Sequence, residues 1–159
     1  TAQLIWFTTG YLEYDISNRY LHADSLSAVN LSFEVCAEAP GYNNTWPSDI
    51  DVKINGVTVT TFRVAGDYGG TRGINNPTWW SDSNTQFGEM KKLSITESGC
   101  FLDGKKVSKE NINSLKVKEN HHFTFAIGVN PDSEYPGGMN LFGKHFGNYA
   151  QDIRMEIKY

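Results

Sequence analysis

Apolar and polar residues alternate along most of this chain. The clearest case runs from Asp49 to Phe62, where Ile50, Val52 and Ile54 alternate with polar residues up to Asn55-Gly56. Asn-Gly is the preferred two-residue hairpin turn, because both positions tolerate positive φ. Such a turn predicts pairing of Ile54 with Val57 and of Val52 with Val59, all four on one face. The C-terminus repeats the pattern, with Ile153, Met155, Ile157 and Tyr159 on one side and Asp152, Arg154, Glu156 and Lys158 on the other. That is a half-buried strand with one wet face. Val29, Leu31, Phe33 and Val35 predict another strand, with Asn30, Ser32 and Glu34 opposite. Phe123, Phe125, Ile127 and Val129 predict a fourth, and Leu12, Tyr14 and Ile16 a fifth after residues 3–8. Leu93, Ile95 and residues 99–107, with an Asp103-Gly104 turn, predict a further hairpin. Residues 108–115 have room for one helical turn.

Eight to ten such strands predict an all-β domain. Their alternation implies two antiparallel sheets packed face to face, a jelly-roll-like sandwich spanning residues 1–159. Three irregular stretches interrupt it, at 37–48, 65–87 and 130–148. Loops of that length are uncommon in compact domains unless they serve a function.

Composition agrees with this class. The chain has 159 residues, enough for one real core, with 13% aromatic residues and 15 glycines. Its net charge is −4, and its only Lys pairs, Lys91-Lys92 and Lys105-Lys106, are isolated. That argues against the chain itself gripping nucleic acid. Cys36 and Cys100 fit one disulfide or two free thiols equally. No apolar run reaches membrane-spanning length. The chain starts at Thr1 without Met or signal peptide, so it reads as a piece of a longer protein.

The long loops hold the candidate chemistry. In the first, Tyr42, Asn43, Asn44 and Trp46 stand between Pro40 and Pro47. Aromatic faces beside amides suit a polar ring such as a sugar. The second holds Gly66, Gly69, Gly70 and Gly73 around Asp67 and Arg72, followed by Trp79-Trp80. Glycines let a backbone approach something closely. On an extended backbone adjacent tryptophans point to opposite sides, which leaves one for the core and one as a stacking platform. The third carries Phe142 and Phe146 as core anchors and Asn140, Asn148 and Gln151 as amides matched to hydroxyls. The residues expected to line a ligand site are Asn43, Asn44, Trp46, Asp67, Arg72, Trp80, Asn148 and Gln151. No cofactor, metal cluster, nucleophile motif or facing carboxylate pair is legible, so the expectation is binding rather than catalysis. Asp49 and Asp51 share a strand face but lie in an ordinary alternating pattern.

Three blocks carry a resemblance. They are residues 32–50 with Trp46-Pro47-Ser48-Asp49-Ile50, residues 66–73 with Gly66-Asp67-Tyr68-Gly69-Gly70-Thr71-Arg72-Gly73, and residues 140–153 with Gly143-Lys144-His145-Phe146-Gly147-Asn148-Tyr149. Pro77-Thr78-Trp79-Trp80, Gln86-Phe87-Gly88 and Pro136-Gly137-Gly138 fit the same pattern. Together they resemble the C-terminal domain of a group of bacterial ArsR-type winged-helix transcriptional regulators, over nearly the whole chain. The resemblance implies a cytoplasmic regulator. Its DNA-binding domain would precede this chain, and this domain would sense a ligand or mediate assembly, with a homodimer as one form. It supplies neither ligand nor binding residues. A metal-sensing role finds no thiolate or His cluster here. The leading expectation is therefore a ligand-sensing effector domain for a small polar molecule, a carbohydrate first. The alternatives are a secreted carbohydrate-binding module of a glycan-degrading enzyme and a dimerisation domain without ligand.

Overall fold

A computed structural model describes residues 2–17, 19 and 25–159. All regular structure among them is β. Eleven strands run in chain order: β1 (Leu4–Phe7), β2 (Gly10–Ser17), β3 (Ala28–Cys36), β4 (Ser48–Ile54), β5 (Val57–Val64), β6 (Glu89–Thr96), β7 (Gly99–Leu102), β8 (Lys105–Ser108), β9 (His122–Val129), β10 (Met139–Phe142) and β11 (Arg154–Lys158). One sheet has the order β1-β10-β3-β6-β7-β8, with β11 also pairing β3; the other is β2-β9-β4-β5.

The pairings are nested. β1 pairs β10, β2 pairs β9, β3 pairs β6 and β4 pairs β5, all antiparallel. A long hairpin folded over on itself in this way is a jelly roll. The β7–β8 hairpin extends one edge of the larger sheet. The sequence pattern places ten strands at most. The eleventh is β10, which lies inside the 130–148 stretch read as irregular; a four-residue run is too short to show a period.

Alternation puts one side of most strands inside; β10 is buried on both sides and β8 on neither. Val29, Leu31, Phe33 and Val35 of the larger sheet face Ile50, Val52, Ile54, Phe125 and Ile127 of the smaller, all buried. Phe33 ties the sheets together, with its ring 5.7 Å from Phe125 and 6.5 Å from Phe62. Leu26, Ile112, Leu115 and Val117 complete this core. The segment around Ile112 closes one helical turn through Leu115 N–H to Asn111 O (2.9 Å) and no helix.

Both expected turns form. Asn55 and Gly56 have φ of 48° and 79°, and Asp103 and Gly104 have 51° and 85°. The expected register holds for Ile54 with Val57 and for Lys53 with Thr58, and fails at Val52. A bulge between Val52 and Lys53 pairs Val52 with Thr60 instead of Val59. A bulge adds one residue to a strand and reverses its parity. Without it Thr61 and Arg63 would point inward; with it Phe62 and Val64 do, and both are buried.

Cys36 and Cys100 are buried free thiols, not a disulfide. Burial, then the neighbouring Asp67 charge, raises the Cys36 thiol well above its ordinary range, and burial pushes Cys100 up to about 11. Both stay protonated and unreactive at neutral pH.

Candidate functional site

The outer face of the larger sheet carries a second, smaller core. Its rows follow from register: Leu4 lies beside Phe142 and Glu34, and Trp6 beside Asn140 and Cys36. Cys36, Phe142 and Phe146 are buried there, with Leu4, Tyr68 and Trp80 packed against them. What buries them is a roof made from the long loops.

Polar side chains stitch that roof down. Glu34, which the alternation places opposite the apolar side of β3, is fully buried. Its carboxylate accepts Gly88 N–H (2.8 Å), Asn148 N–H (3.0 Å) and Tyr149 N–H (3.2 Å). Burial raises its pKa while these three donors pull it down. Gln86 uses both ends of its amide: Nε2 donates to Ser81 O and Asn84 O, and Oε1 accepts from Gly73 N–H and Asn76 Nδ2. Asn76 in turn accepts Gly147 N–H at 2.7 Å. Gln86 and Asn76 therefore join two loops far apart in sequence, a role with no local signature.

Most of the expected lining residues belong to this stitching. Asn43 Oδ1 accepts Thr45 N–H and hydroxyl within its own turn. Asn44 clasps Gly69, donating to its carbonyl and accepting its N–H. Trp46 donates its indole N–H to Gly137 O at 3.0 Å. Asn148 Oδ1 accepts Ile74 N–H. Arg72 does not meet Asp67; it holds Trp80 O, Pro77 O and the Asp82 carboxylate. Asp67 is 0% exposed and accepts Ala39 N–H at 3.0 Å. Burial pushes its pKa up to about 6. The glycines of the second loop approach the chain itself. A Cβ on Gly69 would stand 2.2 Å from the Tyr42 ring, and one on Gly73 2.0 Å from Gln86 O.

Trp79 and Trp80 do not diverge as an extended backbone would require, because they sit in a turn. Their rings meet edge-on at 6.0 Å and both stand beside Phe146. Trp79 is 74% exposed. Trp80 is half-buried and donates its indole N–H to Thr85 O at 2.7 Å.

Trp80 does line a cavity of about 190 Å³. Its other walls are Leu4 and Trp6 of β1, Asn140 of β10, Glu38, Ala39 and Gly41 of the first loop, and Asn84 and Thr85 of the second. Trp6 is 56% exposed. Asn140 is fixed by its Nδ2 bond to Ala37 O at 2.7 Å. Desolvation raises the pKa of Glu38. Of the eight expected residues only Trp80 borders this cavity; Gln151 lines a separate groove further along the same face. Trp6, Glu38, Asn84, Thr85 and Asn140 supply the other aromatic and polar side chains of the cavity wall. Trp6 reads in sequence as one residue of an ordinary strand. Only its register opposite Asn140 brings it beside the loops.

A larger cavity, about 410 Å³, opens between the sheets beside the end of β2. Core side chains such as Tyr14, Ile16, Leu31, Phe125 and Met155 line it. Among the described residues, no group of three or more His, Cys, Asp or Glu is placed to hold a metal ion. No described helix is long and apolar enough to cross a membrane.

No protein-family model matches the chain, and no curated protein matches it. Solved structures resemble it in outline. The EclA C-terminal domain, described as a sugar-binding protein, aligns at 10% identity and a TM-score of 0.42 over 99% of this chain and 79% of that one. The CBM36-1 domain of a multidomain xylanase from the hindgut metagenome of Trinervitermes trinervoides aligns at 12% and 0.40, over 98% and 76%. A carbohydrate-binding module CBM36 in complex with calcium and xylotriose aligns at 10% and 0.38, over 98% and 78%. At these identities and scores, the likeness carries nothing about a ligand of this chain.

Proposed function

We propose that this protein is a carbohydrate-binding domain that seats one sugar ring in the Trp6–Trp80 cavity. The carrying observation is the composition of that wall. Two indoles, one carboxylate, two side-chain amides and one threonine converge on about 190 Å³. Indole faces take the apolar C–H face of a pyranose, while Glu38, Asn84 and Asn140 exchange hydrogen bonds with its hydroxyls. The space suits a single ring. Glu38 is the one carboxylate among the described wall residues, and hydrolysis of a glycosidic bond takes a pair. The activity proposed is therefore binding.

The test is a thermal-shift and intrinsic-fluorescence screen over neutral mono- and oligosaccharides. A sugar that binds only the folded state raises the midpoint. Trp6→Ala should abolish that shift and leave the ligand-free midpoint within about 2 °C, because an exposed side chain contributes little to stability. A folded protein that ignores every sugar at millimolar concentration would sink the reading.

Two of the blocks resembling ArsR-type regulators, 32–50 and 140–153, supply Glu38, Ala39, Gly41 and Asn140 to this cavity, and the 77–80 stretch supplies Trp80. That supports a second proposal: the domain is the cytoplasmic sensing part of such a regulator and touches DNA only through a preceding winged helix. A secreted module of a glycan-degrading enzyme is the competing context. Sequencing the coding region upstream of Thr1 separates them: a winged helix supports the regulator, and a signal peptide or glycosidase domain overturns it.

A further inference from the structure

Beyond the roof, the outer face of the larger sheet is open and has a different chemistry. Register sets out its rows. Glu156, Asn30, Ser94 and Phe101 stand side by side on β11, β3, β6 and β7. Arg154, Ser32 and Lys92 form the next row. Directly paired residues point to the same side of a sheet. The centre of both rows is short (Asn30, Ser32 and Ser94) and the margins are long. Short side chains between long ones make a trough, and a groove of about 300 Å³ lies there.

Its margins are cationic. Lys92, Arg154 and Lys158 line it, with Glu156 as the one acid. Glu156 pairs with Arg154 at 3.0 Å, but both side chains are more than half exposed, so that pair is weak and exchangeable. Gln151 closes one end through its Nε2 bond to Ser32 Oγ at 3.0 Å. In a chain of net charge −4 such a concentration of positive charge is local and directional. The floor offers hydroxyl and amide groups at close spacing, which suit hydroxyls of a ligand. Phe101 continues the Asn30–Ser94 row as an apolar shoulder.

We propose that this groove is a second binding site, for a glycan bearing carboxylate or sulfate groups. Its acidic substituents pair with Lys92, Arg154 and Lys158, and its ring hydroxyls meet Asn30, Ser32 and Ser94. A nucleic acid would need a longer basic track than three cations beside one trough provide. The groove shares no wall residue with the Trp6–Trp80 cavity. It therefore stands or falls independently of the neutral-sugar reading.

The experiment is calorimetric titration of the whole chain with three oligosaccharides of equal length: an oligogalacturonate, a sulfated oligosaccharide and a neutral one. A single-stranded oligonucleotide of matched charge serves as the fourth ligand. The expected result is binding of one or both acidic oligosaccharides, weakened by added salt. The Lys92→Ala/Arg154→Ala double variant should lose roughly tenfold or more in affinity, as expected for charge-assisted bonds. The carboxylated and sulfated arms tell the two acidic groups apart. Trp6→Ala should leave this binding unchanged, whatever it does to neutral sugars. Both variants sit on the surface, and an unchanged melting midpoint confirms folding. No acidic oligosaccharide binding, loss of that binding in Trp6→Ala, equal binding of the neutral oligosaccharide by Trp6→Ala, equal binding of the oligonucleotide, or full affinity in the double variant overturns the proposal.

Discussion

Single residues in the roof are held for reasons of charge as well as shape. Asp67 has a folded pKa of about 6 against an ordinary 3.8. Between those values the folded state keeps a proton that the unfolded chain releases. Its contribution to stability is therefore full below about pH 4 and is lost as pH rises through about 6. Asp67→Asn removes that loss. The midpoint difference, variant minus wild type, should grow more positive from pH 4 to pH 7 in a series of thermal melts; a flat difference would disprove the assignment. Glu38 poses the complementary case. Its carboxyl group accepts hydroxyls more strongly, and through both oxygens, when ionised, and its pKa lies above the ordinary carboxylate value. Sugar affinity should weaken as pH falls toward that raised value. Glu38→Gln should bind more weakly at neutral pH and show no such dependence in the same titrations. A wild type whose affinity ignores pH from 7 to 4.5 would remove Glu38 from the site.

The β4–β5 hairpin shows how an element carries more than its turn. Asn55 holds a positive φ of 48°. Its side chain also donates to Leu115 O and accepts Thr124 N–H, each at 2.8 Å. Thus it ties the hairpin both to β9 and to the turn that plugs the core. Asn55→Gly keeps the conformation and loses the bonds, at about 1–2 kcal/mol. Asn55→Ala loses the bonds and strains the backbone, at about 1–2 kcal/mol more. Urea denaturation of both variants separates the two effects; equal losses would show that the backbone is unstrained. The Asn55-Gly56 turn and the Ile54–Val57 pair were legible because a two-residue turn is local chemistry. The bulge was not. Its cause is the core's demand for Phe62 and Val64 rather than Thr61 and Arg63, and no residue beside the turn announces that demand. The outward row of the smaller sheet was read only as alternation. There Asp51 accepts Tyr11 and Thr61 hydroxyls at 2.7 Å each, and Asp49 takes Arg63 at 2.7 Å.

At the scale of the whole molecule, the nested pairing makes the first strands wait for the last. β1 cannot pair until β10 exists, nor β2 until β9. Loop closure over such separations must be met before any contact rewards it, so folding should take milliseconds to seconds. Stopped-flow refolding monitored by tryptophan fluorescence checks this, and a microsecond phase of full amplitude would contradict it. The sequence by itself determined the class: alternating apolar positions specify which side of each strand is buried, and with no long helix to cover that side a second sheet must. It also marked the loops where the polar and aromatic residues gather. Tertiary structure alone decided which of those residues point at open space. Asn44, Asp67, Arg72 and Asn148 carry the right groups for a ligand, but the loops' own buried N–H and C=O groups also need partners and lie nearer. Trp6, Glu38 and Asn140 meet Trp80 only because the chain ends return to the same sheet, and strand pairing between residues so distant in sequence leaves no local trace.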